Sequence, residues 1–251
     1  MESIFRNSLC RLLPVLLVVG GLADSATAAT LKGKFVLNGV VPVPAPIVDR
    51  RAVREFPNAK LVEEGLLVDL QNLGIANIVV YVRSDAVKPT AEAAEAAPTF
   101  VTIDAATGQF RPRIVGLWHG EQTLVFQTGR QVADDFNFPY AGANPLLPPS
   151  TQVAIPVPGT KLIPQEAGSQ IHPWMKAYVV IKAHPYVAAT AADGSFVIEH
   201  LPEGVELEFQ VWHECSGYLE VAGWGKGRFT KTLAPGETEL GTIQVPRGLF
   251  K

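Results

Sequence analysis

The sequence predicts an all-β protein, because turn residues are dense and the apolar segments between them are short. The 251 residues include 22 Gly and 20 Pro, a composition that favours many turns and short strands over long helices. Apolar and polar residues alternate over residues 31–37, as they do in a half-buried strand. Hydrophobic residues make up 47% of the chain, which supports a substantial core. About 220 residues beyond a leader are enough for one large β domain or two small ones.

The first 29 residues are predicted to be a cleaved secretory signal. Arg6 and Arg11 precede an apolar run over residues 12–22, and small residues at 26–28 suit a cleavage site. The run is shorter than the roughly 20 apolar residues that a membrane-spanning helix needs, and no later segment comes closer. We therefore expect a periplasmic or secreted protein with no integral membrane segment after cleavage.

Cysteine content and charge narrow the possible partners. Cys10 lies in the leader, so the mature chain keeps only Cys215 and cannot form an internal disulfide. Val211, His213 and Cys215 alternate with polar or larger residues along a predicted strand, which favours a buried thiol. The net charge of −3 and the lack of a Lys/Arg cluster argue against nucleic acid. The expected partner is an envelope or extracellular component whose identity the sequence does not reveal.

The strand predictions follow the chain in order. In the first part they fall at residues 31–37, 66–70, 75–82, 100–103, 114–117, 123–126, 152–156 and 177–181. The segment 75–82 is apolar enough to be buried on both faces. Residues 49–61 are predicted to form a short helix or an irregular crossing, and 91–97 one helical turn or a loop. Residues 129–149 are rich in Pro and Asn and are predicted to be irregular.

The pattern changes near residue 184. Residues 190–198 predict a strand, a turn at Asp193-Gly194 and a return strand. Further strands are predicted at 206–213, 228–233 and 241–245. The pattern T-x-x-D-G-S-F-x-I-x-x-L-P-x-G resembles the small β-sandwich of carboxypeptidase regulatory-like domains, which share their architecture with prealbumin-like and some carbohydrate-binding modules. We assign this domain to 185–251, with its missing first strands available from residues 31–40, so that the two domains would be interleaved.

The segment from Ser169 to Met175 has the most informative residue spacing. His172 and Met175 stand in the His-x-x-Met spacing of a blue-copper ligand loop, and Met175 is the only methionine beyond the leader. Such a site holds copper with two His, one Cys and a weak axial Met. Ser169 occupies the position of the thiolate, and serine offers a protonated, hard oxygen instead of a soft sulfur.

Ordered landmarks from residue 31 to 218 resemble a group of secreted bacterial cupredoxin-like proteins described as methylamine-utilisation-like. In that group a cupredoxin domain leads directly into a regulatory-like β-sandwich. The matching stretches lie at residues 39–46, 76–82, 110–112, 171–178, 184–186, 193–196, 201–204 and 211–214. The resemblance implies a cupredoxin-like Greek-key β-sandwich over 30–184, joined to the smaller sandwich over 185–251.

The departures from the family pattern fall on its metal-site positions. Asp134 stands about where the first copper histidine is expected, Arg113 replaces the histidine of a Phe-x-Pro-His motif, and Ser169 replaces the cysteine. This implies that selection for copper has been relaxed. Asp134, His172 and Met175 remain as the residues of a remnant metal site, although hard oxygen and soft sulfur ligands agree poorly on one metal.

A second set of polar residues lies in the family motifs around His184, His213 and Glu214. Joined with His172, these donors would suit a zinc site. We favour the alternative that His184, His213 and Glu214 form a polar cluster bridging the two domains by hydrogen bonds.

These observations predict a non-catalytic extracytoplasmic protein that acts in binding or envelope structure and needs no cofactor. No nucleophile motif is present, since neither Ser169 nor Ser195 lies in a G-x-S-x-G turn. The first alternative is a copper-binding or electron-transfer protein that uses His172 and Met175. The second is carbohydrate binding by the C-terminal sandwich, by analogy of fold. The aromatic residues that could line a sugar-binding surface are Trp118, Trp174, Trp212 and Trp224. Such residues more often belong to the core.

Overall fold

The structure, a computed structural model, describes residues 28–129, 131–221 and 223–250. Its helices are α1 (Arg50–Glu55) and α2 (Ala91–Ala96). In chain order its strands are β1 (Ala29–Asn38), β2 (Val79–Val82), β3 (Phe100–Asp104), β4 (Ile114–Trp118), β5 (Thr123–Gln127), β6 (Asp134–Asp135), β7 (Leu146–Leu147), β8 (Gln152–Ile155), β9 (Gln165–Gly168), β10 (Lys176–Lys182), β11 (Val187–Ala189), β12 (Ser195–Leu201), β13 (Glu206–His213), β14 (Gly217–Tyr218), β15 (Arg228–Thr232) and β16 (Gly236–Pro246). The predicted all-β class is confirmed.

The predicted leader over residues 1–29 lies outside the described residues, apart from Ala28 and Ala29. Ala29 is already the first residue of β1 and is fully buried. Across the described ranges no helix has the length and apolar character that crossing a membrane would require.

Strands β3 to β10 build a first sandwich of two mixed sheets. In one sheet β3 runs parallel to β5, and β5 pairs antiparallel with β8. In the other, β10 lies between the parallel strand β4 and the antiparallel strand β9. The short strands β6 and β7 form an antiparallel pair of their own. These sheets correspond to the predicted cupredoxin-like sandwich.

An aromatic cluster fills the core of the first sandwich. Phe126 and Phe136 stack with ring centroids 4.9 Å apart, and Phe110 and Phe138 pack against Phe136. All four side chains are fully buried. Burial of one such ring contributes about 2 to 3 kcal/mol relative to exposure, so this cluster accounts for much of the stability of the sandwich.

The second sandwich takes strands from both ends of the chain. One of its sheets has the order β12-β1-β16, and the other has the order β11-β2-β13-β14 with β15 also paired to β13. β1 runs parallel to β16 over nearly its whole length and antiparallel to β12. The interior between the two sheets is a separate apolar core.

The pairing of β1 with β12 and β16 agrees with the interleaving predicted from residues 31–40, whereas β2 corrects the strand content predicted for residues 30–184. Both strands hydrogen-bond to C-terminal strands and not to the first sandwich. The physical reason lies in their burial. Leu31 and Phe35 of β1 face the core of the second sandwich, as do Val80 and Val82 of β2. The chain leaves this sandwich after β2, builds the first sandwich, and returns at β11.

The turn predicted at Asp193-Gly194 forms, but its flanking strands do not pair with each other. Gly194 has a φ of 84° and its N–H bonds to Ala191 O at 2.9 Å, a conformation that glycine adopts without strain. β11 pairs with β2, whereas β12 pairs with β1. The turn therefore carries the chain from one sheet to the other.

The two sandwiches meet across an apolar patch and two ion pairs, one buried and one half-buried. Val79 and Tyr81 on the outer face of β2 pack with Ile114, Tyr178 and Val180 of the first sandwich. β2 is thus buried on both faces, as its unbroken apolar sequence predicts. The ion pairs are Arg113–Glu214 and Lys182–Asp85.

Candidate functional site

The segment between Ser169 and Met175 joins β9 to β10, the last two strands of the first sandwich. Two backbone bonds close it into a compact turn, since Met175 N donates to His172 O at 2.8 Å and Ser169 N donates to Met175 O at 3.2 Å. The side chains of Ser169, His172 and Met175 are all buried. The structure therefore keeps the form of the predicted ligand loop.

Ser169 acts as a hydrogen-bond centre at the start of this loop. Its Oγ accepts from His172 N at 2.8 Å and from Ile171 N at 3.1 Å. It also lies 2.6 Å from Asp134 Oδ1 and 2.7 Å from Asp135 Oδ1. Because a hydroxyl carries one hydrogen, it can donate to only one of these carboxylates at a time. Every polar capacity of the hydroxyl is used within the protein.

The two carboxylates next to Ser169 come from β6 and are both buried. Asp135 accepts the backbone N–H groups of Gln170 at 2.9 Å and Ile171 at 3.0 Å. Asp134 Oδ1 accepts the N–H of Asp135 at 2.8 Å. Both carboxylates therefore converge on the loop, Asp135 through its backbone N–H groups and Asp134 through the side chain of Ser169.

His172 lies between two carboxylates. Its Nδ1 is 3.0 Å from Asp134 Oδ2, and its Nε2 is 2.9 Å from Glu55 Oε2. Neither Nδ1 nor Oδ2 has a hydrogen-bond partner elsewhere in the described chain. Burial acts to lower the pKa of His172, but the hydrogen bonds and charges of Asp134 and Glu55 outweigh it and raise the pKa above 6.5. The imidazolium form is favoured because both ring nitrogens can then donate.

Helix α1 places Glu55 over the loop. The helix begins at the N-cap Asp49, whose carboxylate accepts Arg51 N at 2.7 Å. Arg51 Nη1 donates to Ile171 O at 3.0 Å, and the ring of Phe56 meets His172 edge-on at 5.6 Å. A hydrogen bond from Arg54, and next the one from His172, lower the pKa of Glu55.

Sequence reasoning missed Glu55 because 117 residues separate it from His172. The available signal was the Arg-rich segment 49–61, predicted as a short helix or a crossing. Nothing in that segment indicates which loop the helix covers. The helix reaches the site because the chain crosses from β1 of the second sandwich to the surface of the first sandwich.

Met175 and Trp174 pack around the loop. Met175 is fully buried and belongs to the core of the first sandwich. Trp174 Nε1 donates to Gly108 O at 2.8 Å, and its ring lies 5.2 Å from that of His172. These contacts match the interpretation in which both residues serve packing.

The residues at this site do not fit a blue-copper centre. A thiolate is missing, since Cys215 lies elsewhere with its Sγ 3.0 Å from Gly65 O. Both nitrogens of His172 are at hydrogen-bond distance from carboxylates, so neither presents a free lone pair. The remaining donors are hard oxygens and the soft thioether of Met175, which agree poorly on one metal. Within the described residues, no group of three or more His, Cys, Asp or Glu has the geometry to hold a metal ion.

The structure does not bring His184 and His213 together with Glu214. The ring of His184 stacks on Tyr186 at 5.3 Å, and its Nδ1 accepts Tyr186 N at 3.3 Å. His213 meets Phe250 edge-on at 4.9 Å. Among the bonds and ring contacts of the described residues, none joins the side chains of His184, His213 and Glu214 to one another. In the described residues, these three side chains therefore make separate contacts.

Both histidines are held in the neutral form. Burial, helped by the charge of Lys182, lowers the pKa of His184 to about 4. Burial, helped by the charge of Arg113, lowers the pKa of His213 to about 4. His213 Nδ1 accepts Cys215 N at 3.2 Å, which a protonated ring could not do.

Glu214 does bridge the two sandwiches, with Arg113 as its partner. Arg113 Nε lies 2.6 Å from Glu214 Oε1, and Nη2 lies 2.7 Å from Oε2, a bidentate pair. Nη1 of Arg113 is 3.4 Å from Glu64, which also pairs with Arg111. Arg113 thus serves an ion-pair network between the sandwiches.

Three of the four tryptophans considered for a sugar surface make ring or hydrogen-bond contacts inside the protein. Trp174 bonds to Gly108 O, Trp212 packs against Tyr178 at 5.1 Å, and Trp224 stacks on Phe229 at 4.4 Å. These contacts are those of core residues.

Comparison with known proteins adds a distant structural likeness. No family model and no curated protein matches the chain. Two reduced variants of amicyanin are each 16% identical, with a TM-score of 0.30, and each match covers 41% of this chain and 98% of the amicyanin. The amicyanin from Paracoccus versutus is 18% identical, with a TM-score of 0.30 and coverage of 41% and 97%. A likeness of this size carries no argument about this chain.

Proposed function

We propose that this protein is a non-catalytic binding or structural protein of the periplasm or the extracellular space. The observation that supports the proposal is the placement of His172 between Asp134 and Glu55, at 3.0 Å and 2.9 Å. The loop that would hold copper in a cupredoxin serves here to join helix α1 to the first sandwich. The leader predicted over residues 1–29 supports the location.

Copper binding would have to disrupt this arrangement. A metal ligand must be deprotonated, whereas the raised pKa of His172 favours the protonated ring. Copper would also have to displace Glu55 or Asp134 from a ring nitrogen. The hydroxyl of Ser169 is occupied by two backbone N–H groups and a carboxylate, so it offers no replacement for the thiolate.

The test is a titration of the mature chain with Cu(II), and with Cu(I) under reducing conditions, followed by visible absorption and calorimetry. We expect a colourless protein and copper binding weaker than that of an added chelating buffer. An intense visible charge-transfer band would require a thiolate ligand and would overturn the proposal. Stoichiometric binding that is lost in His172→Gln and kept in His119→Gln, a half-buried histidine outside the site, would overturn it as well.

A repaired variant provides the positive control. Ser169→Cys combined with Asp134→His supplies two of the strong ligands that a blue-copper site uses beside His172. Adding Glu55→Gln weakens the competing hold on Nε2 of His172. We expect the triple variant to bind copper and turn blue if it folds, which circular dichroism checks. A wild-type chain that binds copper as well as the triple variant would contradict the proposal.

A further inference from the structure

A groove with a volume of about 530 Å³ lies between the two sandwiches. It is lined by residues of β3, β4, β11 and β12, and each of these strands is the last of its sheet. Segment 93–98, which includes the end of helix α2, forms a further wall. The groove shares no lining residue with the His172 site. Four sheet edges therefore meet at one concave surface.

The backbone of β3 turns hydrogen-bonding groups toward this groove. Thr99 O accepts from β5, and Ala105 N donates to β5, so the odd-numbered residues face that neighbour. Backbone groups alternate in direction along a strand, and therefore Phe100 and Thr102 point away from β5. Asp104 follows the same alternation, since it exchanges two backbone bonds of 2.8 Å with Arg111. No strand of the described chain pairs with Phe100 or Thr102 on that side.

The edge strand β12 also turns unpaired backbone groups outward, at Val197. Gly194 O accepts Phe35 N of β1 at 2.9 Å, so the even-numbered residues face β1. Ser195 O points outward and accepts Ala191 N at 2.9 Å. Val197, two residues further, turns its N–H and C=O outward into the groove.

The side chains at the groove are apolar and its rim is acidic. Phe100 and Val197 are 61% and 44% exposed, which is high for such side chains. The residues that line the groove include Glu199 and no Lys or Arg, and Lys32 opposite Val197 on β1 is paired with Glu237. Glu92 and Glu95 are exposed on α2 beside it. An occupant with apolar side chains and basic ends complements this surface.

From the outward backbone groups of β3, we propose that the groove binds an extended peptide segment of a partner protein, apolar with basic flanks, by β-strand addition. The N–H and C=O groups of an extended peptide can pair with the outward backbone groups of Phe100 and Thr102. Every second side chain of the peptide would then contact Phe100 and Val197. The acidic rim favours lysine or arginine at the ends of the peptide. This inference names an extended peptide as the partner for the binding function proposed above, and it rests on that function.

The probe is the peptide acetyl-Lys-Val-Thr-Val-Thr-Val-Lys-amide, added to the mature chain and followed by NMR and amide hydrogen exchange. We expect shifts and slowed exchange at the amides of Phe100 and Thr102, with none at His172. The same peptide with Glu in place of Lys should bind about tenfold more weakly. Shifts confined to other surfaces, or equal binding of the two peptides, would overturn the proposal.

A proline variant tests the backbone contact directly. Thr102→Pro removes an N–H that β5 does not use, and an edge strand tolerates proline at such a position. We expect it to reduce peptide affinity about tenfold, whereas the matched control Thr102→Val keeps the N–H and the affinity. Phe100→Ser gives a second variant that leaves the backbone intact, and it too should weaken binding. Unchanged affinity in Phe100→Ser, or in a Thr102→Pro protein that folds, would overturn the proposal.

The oligomeric state distinguishes a second copy of this chain from a foreign peptide. A wild-type dimer that Thr102→Pro converts to a monomer in sedimentation would show that the groove is occupied by another copy, and would overturn the partner assignment. Copper binding at His172 is measured separately and involves none of the groove residues. The peptide experiment therefore reports on the groove and the copper experiment on the His172 site, so the two failures are distinguishable.

Discussion

Replacing Arg113 by methionine should destabilise the protein more than any single change at its surface. The guanidinium and its partner Glu214 are 6% and 8% exposed, and they bind in a bidentate geometry at 2.6 and 2.7 Å. Glu64 keeps Arg111 as a partner after the change. Among the residues that the structure describes, Glu214 then keeps only the hydroxyl of Tyr178 at 3.3 Å. Arg113→Met thus leaves a buried carboxylate without a compensating charge.

The magnitude follows from the cost of an unpaired buried charge. Breaking a buried ion pair from one side costs about 3 to 5 kcal/mol. For a chain of this size, 1 kcal/mol lowers the melting temperature by about 2 to 4 °C. We therefore expect Arg113→Met to lower it by about 6 to 20 °C. The double variant Arg113→Met with Glu214→Leu removes both charges and should recover most of the loss.

Urea unfolding monitored by circular dichroism and tryptophan fluorescence measures the effect. The matched control is Lys32→Met, which removes an exposed ion pair with Glu237 and should leave the midpoint nearly unchanged. A loss below about 1 kcal/mol for Arg113→Met would refute the reasoning. So would a double variant that is less stable than Arg113→Met, since it would show that packing of the side chains, and not charge, decides the effect.

The remaining predictions concern protonation and the His172 loop. Stability should fall between about pH 6.5 and pH 4, because His184 and His213 have a folded-state pKa of about 4 and take up protons on unfolding. Each contributes up to about 3 kcal/mol above that window, and His213→Gln should flatten the pH dependence in urea titrations. Glu55→Gln removes a negative charge beside Nε2 of His172, so the pKa of His172 should fall in an NMR titration. Ser169→Ala leaves the N–H of His172 without its acceptor and should cost about 1 to 3 kcal/mol in urea unfolding.

Other outcomes would contradict these expectations. His172 acts in the opposite direction to the neutral histidines, since its folded pKa is raised. Its contribution is complete below the pKa of the unfolded chain and is lost as the pH rises through the folded pKa. Stability that stays level from pH 6.5 to 4, or a pKa of His172 that does not change in Glu55→Gln, would show that these environments are misassigned. A fully stable Ser169→Ala would show that the hydroxyl does not hold the loop.

Local patterns in the sequence were sufficient to predict the all-β fold class and several individual strands and turns. The alternation over residues 31–37 became β1, and the unbroken apolar run ending at Val82 became a strand buried on both faces. The turn at Asp193-Gly194 also formed where predicted. Such features depend on side-chain periodicity and on the backbone freedom of glycine, which act within a few residues.

The sheet in which a strand lies was decided by tertiary structure. Residues 31–37 carry the same alternation whether they pair in the first or the second sandwich, because one apolar face suits either core. The sequence allowed residues 31–40 to complete the second sandwich, and the pairing of β1 with β12 and β16 fixed that choice. The residues flanking Gly194 likewise joined different sheets, although their sequence predicts a hairpin.

The chemistry of the candidate site divides in the same way. From the sequence came the loop with Ser169, His172 and Met175, and the prediction that its copper ligands are incomplete. Only the tertiary structure brings the carboxylate of Glu55 to Nε2 of His172. It also pairs Glu214 with Arg113, where the sequence had suggested two histidines as partners. Ion pairs and hydrogen bonds between side chains act over a few ångströms in space, whatever their separation in the chain. No local pattern encodes them, and the return of the chain from one sandwich to the other decides which residues meet.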